Sequence, residues 1–240
     1  MKILITNDDS VSASQLAPLI RFCQTLGEVT TVVPKFEQSG KSHGIELHKP
    51  YEAVQVELEP GLTVWTVDST PADCVRFAIL GLHMEFDLCI SGINRGYNIG
   101  TDQIYSGTVS AALEATALNT KAIALSTPPV YYDHAVEHLD QVFRFIFDNK
   151  LLDIHDAYNV NIPPHPTQVR ITRQGGPYFS DDYKCIDGNM YQAGGICVYK
   201  DNGDLTLDTN AVHHGFISVM PLTMDRTYYP VYEQLIKLNK

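Results

Sequence analysis

The chain has 240 residues, 44% of them hydrophobic and 19% charged. That length and composition suit one substantial buried core and exclude a disordered chain or one built on membrane spans. A formal charge of -11, with no Lys/Arg-rich run to offset it, argues against a nucleic-acid duplex as partner, and a small phosphorylated substrate fits only if a divalent ion supplies the missing positive field.

The opening MKILITNDD is too short and too acidic for a signal peptide, so a cytoplasmic location is expected. KILIT at 2 to 6 and VTTVVP at 29 to 34 read as buried parallel strands, with Leu16, Leu19, Ile20, Cys23 and Leu26 at helical spacing between them. VQVEL and TVWTV flank the turn candidate EPG and predict a hairpin beside the main sheet. DSTPADCVRFAILG places Pro71 at a helix entry. The strand FDLCIS then breaks into GINRGYNIG, whose glycines let backbone approach a ligand closely.

YSGTVSAALEATAL predicts a small-faced helix, AIALS at 122 to 126 a further strand, and HAVEHLDQVFRFIFDNKLL a long amphipathic helix. The recurrence of strand, loop and helix over residues 1-150 predicts an α/β, three-layer Rossmann-like core on a mostly parallel sheet. Residues 151-240 turn to short strands and turns, with DNGD as a tight-turn signal and YYPVYEQLIKL as a C-terminal helix. A β-rich extension is expected there, with part returning to the core. Five cysteines with no close pair read as reduced core residues rather than a disulfide framework or zinc site.

Asp8 and Asp9 fall where the first parallel strand delivers its carboxyl end, the usual ligand edge of an open α/β sheet. Both can face one ion only if the backbone turns at Asp8, and the same residues also suit a turn or helix cap. Asn94, in the glycine-rich loop with Ser91 and Asn98, offers a neutral amide oxygen to a hard cation. Ser106, Gly107 and Thr108 sit at a helix start, where free N–H groups and hydroxyls suit either phosphate oxygens or plain N-capping. GxGxxG at the first turn, GxxxxGK[ST] and GxSxG are all missing, which disfavours a dinucleotide enzyme, a P-loop ATPase and a serine hydrolase. His43, His213 and His214 read as surface or hydrogen-bonding residues.

Taken in order, ILITNDD, QSG at 38 to 40, STPADCV, DLCISGINRGYNIG, YSGTVSAALE, VRITR and GFISVMPL resemble the stationary-phase survival protein family SurE, the 5'/3'-nucleotidases. The resemblance implies hydrolysis of nucleoside monophosphates with one divalent metal ion, Mg or Mn, per subunit. It implies metal ligation by Asp8, Asp9, Ser39 and Asn94, catalytic roles for Asp8, Asp9 and Asn94, and substrate contacts from Asn98, Ser106, Gly107 and Thr108. A homodimer or homotetramer with an exchanged C-terminal segment is also implied. This chain departs from the pattern at Ser10, where glycine is usual, at Lys35, where an acid is usual, and at Leu207, where threonine precedes the aspartate matched by Asp208. A broad phosphomonoesterase or short-chain exopolyphosphatase and a non-enzymatic nucleotide sensor are the alternatives.

Overall fold

The computed structural model describes residues 1–239. Eleven strands form: β1 (Lys2–Thr6), β2 (Glu28–Pro34), β3 (Ala53–Glu59), β4 (Leu62–Val67), β5 (Leu88–Arg95), β6 (Lys121–Thr127), β7 (Ala157–Asn161), β8 (Val169–Ile171), β9 (Phe179–Asp187), β10 (Met190–Cys197) and β11 (Ile217–Pro221). The helices are α1 (Leu16–Gln24), α2 (Pro71–Arg76), α3 (Gly107–Ala117), α4 (Leu139–Asp148), α5 (Leu151–Ile154), α6 (Asp208–His213) and α7 (Tyr229–Leu235).

Nine strands make one sheet in the order β3-β4-β2-β1-β5-β6-β7-β11-β8. β1 runs parallel to both β2 and β5, β6 and β7 continue parallel, and β3 and β11 are antiparallel to their neighbours β4 and β7. Successive crossovers run one way from β1 to β2 and the other way through β5 and β6. The crevice between the carboxyl ends of β1 and β5 is therefore a topological switch point.

Alternation along β1 sorts its side chains between the two faces. Ile3 and Ile5 pack with Leu16, Leu19 and Ile20 of α1 and with Val142, Phe143 and Ile146 of α4. Leu4 packs on the opposite face with Cys74 and Val75 of α2 and Ala111, Ala112 and Ala115 of α3. Each buried aliphatic side chain contributes about 1.5–3 kcal/mol relative to exposure, and the alanines of α3 let that helix lie close to the strands. This is the expected three-layer α/β core.

Three local expectations change. DNGD does not turn a hairpin: β9 and β10 pair antiparallel around Gly188 and Asn189, while residues 201–206 form a loop held by Asp201, Asn202 and Asp204 accepting nearby backbone N–H groups. The long helix expected from His134 begins as a 3-10 segment over Pro129–His138; α4 follows, and Lys150 in the left-handed region separates it from α5. β7 was not anticipated, because Asn159 and Asn161 interrupt an apolar reading although all five residues are buried. Cys23, Cys74 and Cys89 are buried as expected, whereas Cys185 and Cys197 are not core residues but lie exposed on the hairpin; all five are free thiols. Among the described residues, no helix is long and apolar enough to cross a membrane.

Candidate active site

The chain turns immediately after β1. Ser10 adopts φ +72°, and the Asn7 side-chain amide donates to the Ser10 carbonyl at 2.9 Å. The turn sends the two carboxylates to different anchors at the switch point. Thr108 donates its hydroxyl to Asp8 Oδ1 at 2.5 Å, and the Arg95 backbone N–H, at the end of β5, donates to Asp9 Oδ2 at 2.8 Å. The Asp8 carboxylate also takes the backbone N–H groups of Thr108 and of Asp8 itself, while Asp9 Oδ1 takes no hydrogen bond among the described residues.

Burial pushes the Asp8 carboxyl up to about 6; the Thr108 hydroxyl opposes that rise and the neighbouring Asp9 charge adds to it. Asp9 is also raised, first by burial and then by the Glu37 charge, against the Arg95 N–H. Two carboxylates held beside each other carry an electrostatic cost that a bound cation would offset. Gly107 sits in close approach: a Cβ there would lie 3.1 Å from Asp8 Cβ and from Pro71 Cγ, tighter than ordinary carbon contact. The first turn of α3 thus faces Asp8 directly, and its N-terminal partial positive charge favours the ionised carboxylate.

The other two expected ligands reach the same crevice through their neighbours. Gln38 N–H donates to the Asp8 carbonyl at 2.8 Å, tying the QSG segment to β1. Ser39 is exposed and donates its hydroxyl to Glu37 at 2.5 Å. The Asn94 side-chain N–H donates to the Gly96 carbonyl at 2.7 Å, which leaves Asn94 Oδ1 as its unused oxygen. Among the described residues no three His, Cys, Asp or Glu side chains gather into a metal cage, so a bound ion would depend on this mixed carboxylate, amide and hydroxyl set. The donor set is all oxygen and matches a hard cation.

The expected phosphate contacts are occupied differently. Ser106 caps α3, accepting from Val109 N–H at 3.1 Å, and the Thr108 hydroxyl belongs to Asp8. Asn98 is buried; its side chain donates to the Ser126 hydroxyl, and its backbone is held by Asn159 and Asn161 of β7. Asp208 is fully buried and accepts from Gly100, Gly175 and Thr209 N–H groups at 2.7–2.9 Å. It clamps the glycine-rich loop to the C-terminal part of the chain even without the threonine usual before it.

A cleft of about 600 Å³ opens over Asp9 and Ser39, with Glu37, Arg95, Tyr132 and Asp133 on its walls. A larger cavity of about 760 Å³ lies beside α3, against Met224 and Arg226, but contains neither aspartate, so the chemistry is assigned to the smaller cleft. The sequence reading did not single out Glu37, Arg95 or Tyr132, nor the asparagines of β7. The adjacency of Arg95 to Asn94 and of Glu37 to QSG was the available signal. His43, on the segment that carries Ser39, is anchored by Glu114 at 2.7 Å, and Arg76 holds the other oxygen of Glu114 at 2.8 Å. The hydrogen bond from His43, more than any other influence, holds the Glu114 carboxyl below its usual range.

A family model described as survival protein SurE matches residues 3–181. The chain is 37% identical to the 5'-nucleotidase SurE of Thermosipho africanus over 93% of this chain and 92% of that one. It is equally similar to the protein of the same description from Pelotomaculum thermopropionicum, at 37% identity over 100% and 96%. The crystal structure of SurE protein from Aquifex aeolicus superposes with a TM-score of 0.80 at 27% identity, covering 100% of both chains.

Proposed function

Since the chain belongs to the SurE family, and with it to a group of phosphomonoester hydrolases, we propose that it is a metal-dependent nucleotidase that converts nucleoside 5'- or 3'-monophosphates to nucleoside and inorganic phosphate. The observation that carries this reading is the paired anchoring of Asp8 and Asp9 at the switch point, by the Thr108 hydroxyl and by the Arg95 N–H. One divalent ion, Mg²⁺ or Mn²⁺, held by Asp8, Asp9, Ser39 and Asn94 would polarise the phosphoryl group and acidify bound water.

The chain's own groups divide the remaining work. Thr108 fixes Asp8, whose carboxyl must give up its proton to act as a ligand, so ion binding strengthens as pH rises past about 6. The Arg95 N–H fixes one oxygen of Asp9 and leaves Oδ1 as the oxygen that would hold the ion. As the water oxygen bonds to phosphorus and releases its proton to solvent, the ester bond breaks and the nucleoside oxygen takes up a proton from solvent. The Gly107 N–H, in the first turn of α3, offers a donor to a phosphoryl oxygen. Asn98 and Ser106 keep this rim in place.

Two further readings complete the proposal. α7 has no buried residue, and Tyr228, Tyr229, Val231, Tyr232 and Leu235 are all exposed, so this segment completes its packing against a second copy in a homo-oligomer. Five free thiols suit a reducing, cytoplasmic setting. Phosphate release from a nucleoside monophosphate panel, with and without EDTA, tests the activity: release that requires Mg²⁺ or Mn²⁺ is expected. Full activity after verified metal removal, or nucleotide binding without turnover, would overturn the reading.

A further inference from the structure

The turn from Gln38 to Ser42 carries Ser39 at the mouth of the cleft and has little packing of its own. Ser39, Gly40 and Lys41 are exposed, and Gly40 (φ +69°) and Ser42 (φ +53°) both lie in the left-handed region, which is unfavourable for the serine. A backbone held in that region persists only where its surroundings pin it. At the first end of the turn, Gln38 N–H donates to the Asp8 carbonyl at 2.8 Å. At the second, Ser42 donates its backbone N–H and its hydroxyl to the carbonyls of Tyr105 and Ile104, both neutral acceptors, and His43 follows.

His43 is held more firmly. Its Nε2 lies 2.7 Å from Glu114 of α3, whose other carboxylate oxygen accepts from Arg76 of α2 at 2.8 Å. The hydrogen bond from His43, ahead of that from Arg76, keeps the Glu114 carboxyl below its usual range, so it is ionised near neutral pH and can only accept. The His43 bond is therefore charge-assisted, and with the two side chains 20% and 10% exposed, water screens it weakly. It also ends on a rigid base. Thr108, which fixes Asp8, stands on the same helix less than two turns before Glu114. One helix thus holds both a carboxylate of the candidate ion site and the turn that brings Ser39 to it.

We propose that His43 is a positioning residue for the Ser39 turn: through Glu114 it fixes the turn to the helix that also fixes Asp8, and so sets the reach from Ser39 to the ion. The assignment rests on the metal-dependent reading and deepens it. His43 is not among the described residues that line the cleft over Asp9, so its effect on the ion runs through the placement of Ser39 and not through direct contact. Without the His43 bond the turn stays tied at Gln38 but loses its charged anchor, and Ser39 spends part of its time away from the carboxylates.

The test uses the full chain, comparing wild type with His43→Ala, His43→Gln, Ser39→Ala and the double variant His43→Ala/Ser39→Ala. Limited trypsin digestion of the metal-free proteins reads the turn itself, through cleavage after the exposed Lys41. His43→Ala should be cut there roughly 10-fold faster, the low end for a lost bond to a charged group, with cleavage at other Lys and Arg residues unchanged. His43→Gln, whose side-chain N–H can still meet Glu114, should stay within about 3-fold of wild type. Calorimetric titration with Mn²⁺ reads the consequence. His43→Ala should weaken binding roughly 10-fold, as loss of an outer positioning group does, and should add less than about 2-fold to the loss in Ser39→Ala, where the turn has no ligand left to deliver. Unchanged cleavage at Lys41 in His43→Ala overturns the proposal. So does an equal rise at every site, which marks general loosening. Equal loss of Mn²⁺ affinity with and without Ser39 overturns it too, because the effect then bypasses the turn, and so does wild-type affinity in Ser39→Ala. If the wild type bound no Mn²⁺, the metal-dependent reading would fall on its own, and cleavage at Lys41 would still decide whether His43 holds the turn.

Discussion

Replacing Asp8 with asparagine should stabilise the metal-free protein while abolishing its stabilisation by metal. The Asp8 carboxyl is raised from 3.8 to about 6 by burial, so the folded state holds its proton more tightly than the unfolded state does. Stability therefore falls as pH rises from the unfolded value through the folded one, and the cost is complete above that window. With these values the cost is about 1.6 kcal/mol at pH 5 and about 3 kcal/mol at pH 7. Asparagine carries no charge to desolvate, and its Oδ1 can still accept from Thr108, though a neutral acceptor returns about 1 kcal/mol less. A net gain of about 1–2 kcal/mol at pH 7 remains, which is about 2–8 °C in Tm for a chain of this size. Wild type should regain its deficit with Mn²⁺, by about 2.7 kcal/mol at a hundred times the dissociation constant, and Asp8→Asn should respond little. Thermal denaturation of both proteins at pH 5 and pH 7, with EDTA or Mn²⁺, provides the measurement. A metal-free Asp8→Asn protein less stable than wild type at pH 7, with the same pH dependence, would refute the idea that Asp8 is held at an electrostatic cost.

Asp9→Asn should fold but lose most metal-supported turnover, whereas Ser10→Gly should keep it. Glycine suits the φ of +72° found at Ser10, and that gain is offset by losing the 2.9 Å contact between the Ser10 and Ser12 hydroxyls, so stability should change by no more than about 1 kcal/mol. Metal titration and phosphate release on the two variants distinguish carboxylate chemistry from loop geometry. Asp208→Ala should destabilise the fold by at least about 3 kcal/mol in urea unfolding, because it strands the N–H groups of Gly100, Gly175 and Thr209; a smaller cost would mean that these donors find other acceptors. Ending the chain at Met224 should yield a smaller assembly by light scattering, and an unchanged mass would remove α7 from the interface.

The parts legible in the sequence were those in which one signal decides the outcome. ILIT followed by Asn-Asp-Asp announced both a buried strand and a polar carboxyl end, and Pro71 after Thr70 marked the start of α2. β7 was hidden because buried asparagines read as loop residues until Asn98, their partner about sixty positions earlier, is folded onto them. The hydroxyls of Ser106 and Thr108 were visible as donors, but no local pattern shows that a helix cap and Asp8 would engage them. Tyr132 was illegible for a related reason. It lies in the 3-10 segment over Pro129–His138, where neither helical nor strand periodicity holds, and only the tertiary fold brings it beside Asp9.

The arrangement at α3 bears on how an acidic protein can handle an acidic substrate. A helix N-terminus is the usual backbone device for binding phosphate, and here it faces the carboxylate of Asp8. Its partial charge thereby lowers the cost of ionising a buried carboxylate, and the proposed mechanism leaves the Gly107 N–H for the substrate. With no cation beside Asp9, the cleft presents the charges of Asp9 and Glu37 to an approaching phosphate dianion. On the proposed metal-dependent reading, ion binding would precede productive phosphate binding, and loss of the Asp8 proton on ion binding would reverse the sign of the field seen by the substrate. With a chain charge of -11, the proposed phosphate site would depend on this local reversal and on Arg95, which among the described residues is the one arginine on the cleft wall.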